Sequence, residues 1–299
     1  MNFDTNVGEC AHGLDPNAKT CIDEELSEAL ESALDNLKEE VARLPKKDKY
    51  ISNLDNSDDV NPSIEIIKNI TGCKNESCAL EHPKIKNVLG YDFVQRKVEE
   101  LFKPEGPYDS NQWFSNSNID EVLSQIAESE KYKHKNFKHI PYHMNDFQNH
   151  NTELKNTDFA AEYIKGIRCF GVVFNTDKTS GRGQHWFAGF GDFNTKGTKD
   201  DPFTIEYFNS SGNSPSAEIK KWMCDTKNNL CHKIKKEVEV ITVTDIVNQR
   251  DNHSCGSYSI YYIISRLNGI HYTHFANNKI GDDTMHDFRE YYLFRKNKH

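Results

Sequence analysis

Apolar residues fall into two textures along this chain, one with helical spacing and one with strand spacing. Near the start, Ile22, Leu26, Ala29, Leu30, Ala33, Leu34, Leu37, Val41 and Leu44 return every third or fourth position. That spacing predicts one long helix whose apolar stripe faces a core and which Pro45 ends. The period is close to a heptad, so a short coiled-coil contact is open, but packing inside a small helical domain satisfies the stripe more simply. The polar stretch 46–62 reads as a loop. Further helices are expected over 63–70 and 85–102, with Gly90 a weak point in the second. Lys103-Pro-Glu-Gly-Pro-Tyr-Asp-Ser-Asn111 is a turn-rich break. It divides the chain into a helical arm domain, 1–105, and a second domain, 106–299.

Beyond the break a helix over 119–130 leads into Lys131-Tyr-Lys-His-Lys-Asn-Phe-Lys-His139. This basic and aromatic cluster suits a solvated face better than a site for nucleic acid or an acidic peptide. The texture then changes. Runs over 168–175, 186–193, 203–208 and 238–243 are rich in Phe, Val, Ile and Tyr and are separated by Gly, Asn and Asp, the pattern of strands in one sheet. Helices over 216–230 and 282–294 are expected to pack on it. So is a buried helix that begins near Cys255, carries the stripe Ile260, Ile263, Ile264, Leu267 and stops at Asn268-Gly269. The second domain is therefore α+β.

Composition narrows the classes. The 299 residues carry a net charge of −9, which argues against a general nucleic-acid or membrane-surface protein. No apolar run approaches the roughly 18 residues of a membrane helix. Met1-Asn2-Phe3-Asp4 lacks the basic and apolar regions of a signal peptide, so an intracellular chain is expected. Eight cysteines are dilute at this length, and a reducing compartment would leave them mostly as thiols. Cys73-x4-Cys78-x3-His82, with Cys10 and Cys21, has a flavour of zinc ligation, but the spacing matches no standard zinc motif and no metal is expected.

Cys255 carries the candidate chemistry. At a helix start, unpaired N–H groups and the helix dipole favour an anion, so a lowered thiol pKa is expected there. A cysteine in that place is by itself more often an inert small hydrophobe, so its partners decide. A thiol nucleophile needs a base, a group to orient the base, and oxyanion donors. His185 opens the run His185-Trp-Phe-Ala-Gly-Phe190 at a loop-to-strand junction, where a rigid sheet would hold it at an open edge. Alternation along 203–208 places Ile205, Tyr207 and Asn209 on one face and Glu206 with Phe208 on the other. Asn209 can orient the imidazole, and Glu206 is the competing acid if the register differs by one. Gln249 can offer its amide to an oxyanion beside the Cys255 N–H, with Asn252 the alternative amide. Gly256 would leave room for substrate backbone.

The order His-Trp, then Tyr-Phe-Asn-Ser, then Gln-x5-Cys-Gly resembles the SUMO-protease and adenovirus-endopeptidase cysteine proteases, which reach a papain-like site in permuted chain order. Papain places its His roughly 130 residues after its Cys, and only residues 256–299 follow Cys255. Within that superfamily the chain is most similar to the African swine fever virus-type polyprotein-processing proteases. The likeness runs through Phe170-Gly-Val-Val-Phe-Asn-Thr-Asp, Ile205-Glu-Tyr-Phe-Asn-Ser-Ser-Gly-Asn-Ser-Pro215, Gln249-Arg250, Cys255-Gly-Ser-Tyr-Ser and Cys73-Lys-Asn-Glu-Ser-Cys78. The resemblance implies a viral endopeptidase in host cytoplasm and virion that cleaves structural polyproteins after Gly-Gly. It assigns Cys255 as nucleophile, His185 as base, Asn209 as orienter and Gln249 as oxyanion donor, with Trp186, Asn252 and Gly256 beside the substrate and no cofactor. A protease of host ubiquitin-like conjugates and an inactive protease-fold binding module are the rival readings.

Overall fold

The computed structural model of the chain describes residues 8–14, 18–43, 61–107 and 109–295. Met1–Asp4, Pro45 and most of the polar stretch 46–62 lie outside the described residues. Contacts divide the chain into two compact units, Met1–Gly106 with Tyr291–His299, and Pro107–Glu290. Residues 291–295, expected in the second domain, thus group with the first.

The first unit is helical. The stripe expected over 22–44 forms two helices, α1 (Glu24–Asn36) and α2 (Lys38–Arg43). Asp23 caps α1 by accepting the Leu26 N–H at 2.8 Å, which satisfies one orphan donor of the first turn. Helices α3 (Pro62–Thr71) and α4 (Glu76–Glu81) follow. The helix expected over 85–102 is two, α5 (Pro83–Leu89) and α6 (Tyr91–Leu101), because Gly90 adopts φ 91° between them. Leu26, Leu30, Ile64, Ile67, Leu80 and Val94 form the core. Lys97 is buried against Asp23 and Glu25, each at 2.6 Å. The cysteines depart from expectation. Cys10 pairs with Cys21 and Cys73 with Cys78 as disulfides, with Cα separations of 5.1 and 5.7 Å. His82 caps α5, its Nδ1 accepting the Lys84 N–H. The zinc grouping is not assembled.

The second unit is the expected α+β layer. After α7 (Asn116–Glu128), the basic and aromatic segment 131–139 runs from α8 (Glu130–Lys133) through a turn into a strand, β1 (Phe137–Met144), with Phe137, Ile140 and His143 turned inward. Two short helices, α9 (Glu153–Asn156) and α10 (Phe159–Ile164), lead to β2 (Cys169–Asn175), β3 (Trp186–Asp192) and β4 (Phe203–Phe208). Helix α11 (Ala217–Ile234) then crosses to β5 (Val238–Val243). The strands lie in the order β1-β2-β3-β4-β5. The three central strands are antiparallel, and β1 and β5 pair parallel at the edges. Helical crossovers supply the parallel pairs, and the central strands, covered on both faces, read as continuous apolar runs.

Helix α12 (Cys255–Leu267) is buried along its whole length. On one face of the sheet Phe170, Val172 and Phe174 meet Trp222 and Met223 of α11. On the other face Phe208 stacks on Tyr262 of α12, ring centroids 4.5 Å apart. A Cβ on Gly171 would come 2.9 Å from Ile263, so that glycine permits α12 its close approach. Glu206 is fully buried on this face. It accepts Arg266 Nε and Nη2 at 2.8 Å each and Tyr262 Oη at 2.6 Å, while Arg266 also reaches Asp192. After α13 (Tyr272–Asn277), the helix expected over 282–294 is α14 (Asp282–Asp287) followed by a π-helical stretch, Phe288–Leu293. Among the described residues no helix is long and apolar enough to cross a membrane.

Candidate active site

The sheet register builds one half of the site. The His185 carbonyl accepts the Thr176 N–H at 2.9 Å and so extends the β2–β3 ladder. Alternation then turns the Trp186 N–H toward β4. Pairing with β4 ends at Ala188 opposite Phe208, which frees this N–H, and it favours the Cys255 thiolate. The residue after His185 thus acts on the nucleophile candidate. Asn209 follows β4 directly, and its Oδ1 accepts from His185 Nε2 at 2.8 Å.

The orientation of that amide is fixed by its neighbours. The Ser211 N–H reaches Oδ1 at 3.0 Å, and a backbone donor can meet only the oxygen. Nδ2 donates to Tyr207 Oη at 2.9 Å, which in turn donates to the Asn213 carbonyl. His185 must then carry its proton on Nε2, leaving the Nδ1 lone pair to take a proton. Gly212, at φ 73°, closes the turn by donating to the Asn209 carbonyl. Glu206, the competing acid, is committed to Arg266 on the other face.

Cys255 is the first residue of α12. Its own N–H and that of Gly256 join the Trp186 N–H in favouring the thiolate, as first-turn donors with no intrahelical acceptor can. The expected low thiol pKa is nevertheless reversed. Burial pushes the Cys255 thiol above its ordinary 9.0, the Asp251 charge adds to the rise, and the three N–H donors do not offset them. Burial likewise holds His185 below 6.5 despite the Asn209 bond. Both shifts favour the neutral form at rest, a thiol at Cys255 and an uncharged imidazole at His185.

The loop before α12 is fastened to the turn after Asn209. The Ser210 carbonyl accepts the N–H groups of Asn248 and Gln249 at 2.8 and 3.0 Å, and Ser210 Oγ donates to Gln249 Oε1. Gln249 is buried, and Nε2 gives one proton to Asp251 Oδ1 at 3.0 Å, which leaves its second N–H to donate elsewhere. Asn252 is exposed, with its amide oxygen toward His253 Nδ1. Of the two candidate amides, Gln249 is therefore the buried, oriented one. Trp186 is buried, its indole N–H donating to the Phe114 carbonyl at 3.0 Å and its ring meeting Tyr142 edge-on. Gly256 does not open space for substrate: a Cβ there would fall 2.6 Å from the Phe114 ring, which fills the room.

Sequence reasoning missed Asp251, Ser210 and Phe114. Asp251 accepts from His253 N–H, Ser254 N–H and the Ser254 hydroxyl. Burial opposes its ionisation, but these bonds hold the carboxylate well below its ordinary range. An Asp whose side chain accepts the N–H two residues on forms an Asx turn, a pattern that Asp251 ahead of the helix made legible. Phe114 comes from a distant segment with no signal of its own.

Residues 92–299 match the Ulp1 protease family, C-terminal catalytic domain. A cysteine protease of African swine fever virus (isolate Tick/Malawi/Lil 20-1/1983) is 36% identical over 244 residues, covering 76% of this chain and 85% of that protein. The chain belongs to the Ulp1 protease family. A more distant relative, a putative thiol protease of Acanthamoeba polyphaga mimivirus, is 23% identical over 230 residues, or 74% of this chain and 70% of its own. The crystal structure of an African swine fever virus protease superposes with a TM-score of 0.73 at 30% identity, over 97% of this chain and 96% of that one. As a Ulp1-family member with these viral relatives, the chain is a cysteine protease and its substrates are proteins.

Proposed function

We propose that this protease cleaves viral polyproteins after Gly-Gly during virion maturation, in host cytoplasm and virion, through Cys255, His185 and Asn209. The observation that carries the reading is the 2.8 Å bond between His185 Nε2 and Asn209 Oδ1, together with the Trp186 N–H, next in sequence, favouring the Cys255 thiolate. His185 Nδ1 takes the thiol proton as Cys255 attacks the scissile carbonyl. Gln249 Nε2 and the Cys255 N–H donate to the oxyanion, each such donor contributing on the order of 3 kcal/mol. The tetrahedral intermediate collapses, the amine leaves with the proton from His185, and a thioester remains. Water then adds, His185 accepting its proton, and the acid is released as the thiol re-forms.

Crowding at the sulfur supports a preference for glycine. The Trp186 indole is held by Phe114 and Tyr142, and the Phe114 ring fills the space over Gly256. Side chains at the cleaved position would meet these rings. African swine fever virus relatives bear the name SUMO-1 cysteine protease, so ubiquitin-like conjugates are the rival substrate. The test compares the enzyme and Cys255→Ser on Gly-Gly-Xaa reporter peptides and on a SUMO fusion. Peptide cleavage that falls at least roughly 10⁴-fold in the variant is expected. Undiminished turnover by Cys255→Ser removes the nucleophile, and cleavage of the fusion alone transfers the substrate to conjugates.

A further inference from the structure

Two histidines share one carboxylate oxygen on the loop that precedes Cys255. His286, on α14, brings Nε2 within 3.0 Å of Asp251 Oδ2, and His253 Nε2 stands 3.4 Å from the same oxygen. The two rings are nearly parallel, with centroids 5.3 Å apart and planes 12° from each other. One ligand atom from each of the three residues lies within 4.8 Å of the others. His253 Nε2 is buried and makes no hydrogen bond in this geometry. A buried ring nitrogen without a hydrogen bond is costly, so it calls for a partner.

The geometry points to a divalent transition-metal site, zinc-type, formed by Asp251 Oδ2, His253 Nε2 and His286 Nε2. Metal–ligand distances of about 2.0–2.1 Å in a tetrahedron put neighbouring ligand atoms about 3.3 Å apart, close to the two separations from Oδ2. An N,N,O set of imidazoles and a carboxylate suits zinc and its first-row neighbours and disfavours magnesium or calcium. Asn252 Oδ1 lies toward His253 Nδ1, so a proton held there leaves Nε2 free to ligate. Asp251 Oδ1 is held by Ser254 N–H, His253 N–H and Gln249 Nε2 and Oδ2 by the Ser254 hydroxyl, which fixes the carboxylate with Oδ2 near both rings. His286 is exposed and gives the ion a way in. A bound ion would tie α14 to the loop that carries Gln249 and Cys255.

The experiment uses the full chain with Cys255→Ser, so that the site thiol cannot ligate. Cobalt(II) is titrated with visible absorption as the readout and is then displaced by zinc, with calorimetry giving the stoichiometry. The site predicts one ion per chain with tetrahedral cobalt bands, and a raised melting temperature on binding. His286→Ala and His253→Ala, each added to that background, should weaken binding at least roughly 100-fold, more than the 10- to 100-fold typical of outer-shell changes. His286→Gln, a surface change, guards against misfolding, checked by circular dichroism. No saturable binding by the parent, or equal binding by the histidine variants, overturns the site.

Discussion

Asn209→Asp isolates what residue 209 does for His185. The change replaces an NH2 group with an oxygen and alters no shape. Oδ1 would keep its place 2.8 Å from Nε2 and 3.0 Å from the Ser211 N–H. Tyr207 Oη can reverse its role and donate, at the expense of its 3.0 Å bond to the Asn213 carbonyl. The substantive difference is a negative charge against the imidazole. Two unit charges about 4 Å apart at an effective dielectric near 20 attract by about 4 kcal/mol, and desolvation of the new carboxylate reduces this. The resulting rise in the His185 pKa is roughly 1–3 units, or about 1.4–4 kcal/mol at 1.36 kcal/mol per unit. With Asn209 in place, burial sets the pKa below 6.5. The assay is an NMR titration of the His185 ring in a Cys255→Ala background, which removes coupling to the thiol. The parent should titrate below 6.5 with its proton on Nε2, and Asn209→Asp should move the midpoint upward. An unmoved midpoint, or a parent proton on Nδ1, would refute the orienting bond.

Because burial raises the thiol above 9.0 and lowers the imidazole below 6.5, the native enzyme near neutral pH should show no ultraviolet thiolate absorbance that Cys255→Ala removes. As pH rises through the lowered His185 value the base becomes free, so kcat/KM should climb to its plateau below 6.5; a limb centred well above that contradicts the neutral pair. Arg266→Met would leave Glu206 buried without its cation, a loss of about 3–5 kcal/mol in urea unfolding. The double variant with Glu206→Gln should recover much of it, and a loss under about 1 kcal/mol would mean the pair does not hold α12 to β4. Gly256→Ala drives a methyl into the Phe114 ring and should destabilise by about 1–3 kcal/mol while lowering turnover. Unchanged melting and turnover would remove Phe114 from the helix start.

Much of the central sheet was legible because β2, β3 and β4 are buried on both faces and so are rich in Phe, Val, Ile and Tyr. Alternation along β4 separated Tyr207 and Asn209 from Glu206 before any coordinates, and the Glu206–Arg266 pair lies where that register puts it. Strand β1 was hidden because Pro141 sits inside it and the register shifts between Ile140 and His143, while Lys138 and His139 gave it the look of a solvated run. The long helices broke at Leu37 and Gly90, where local backbone conformation overrode a continuing stripe. The cysteine pairing escaped because a reducing compartment was expected to leave free thiols, although the partners lie only 11 and 5 residues apart. The thiol pKa was misjudged for a related reason. A helix start can be read from sequence, but the burial that outweighs its field depends on Trp186 and Phe114, which only the fold brings to Cys255.

Selective covalent capture of Cys255 tests its role as nucleophile most directly. The full chain is incubated with a Gly-Gly peptide aldehyde or vinyl sulfone and the adduct is mapped by mass spectrometry. Cys224 is exposed and Cys231 half-buried, whereas Cys255 is buried, so simple accessibility favours the wrong thiols. The account predicts one adduct, on Cys255, lost in His185→Ala and weakened in Asn209→Ala. An adduct on Cys224 or Cys231 in place of Cys255, or undiminished capture by His185→Ala, would contradict it.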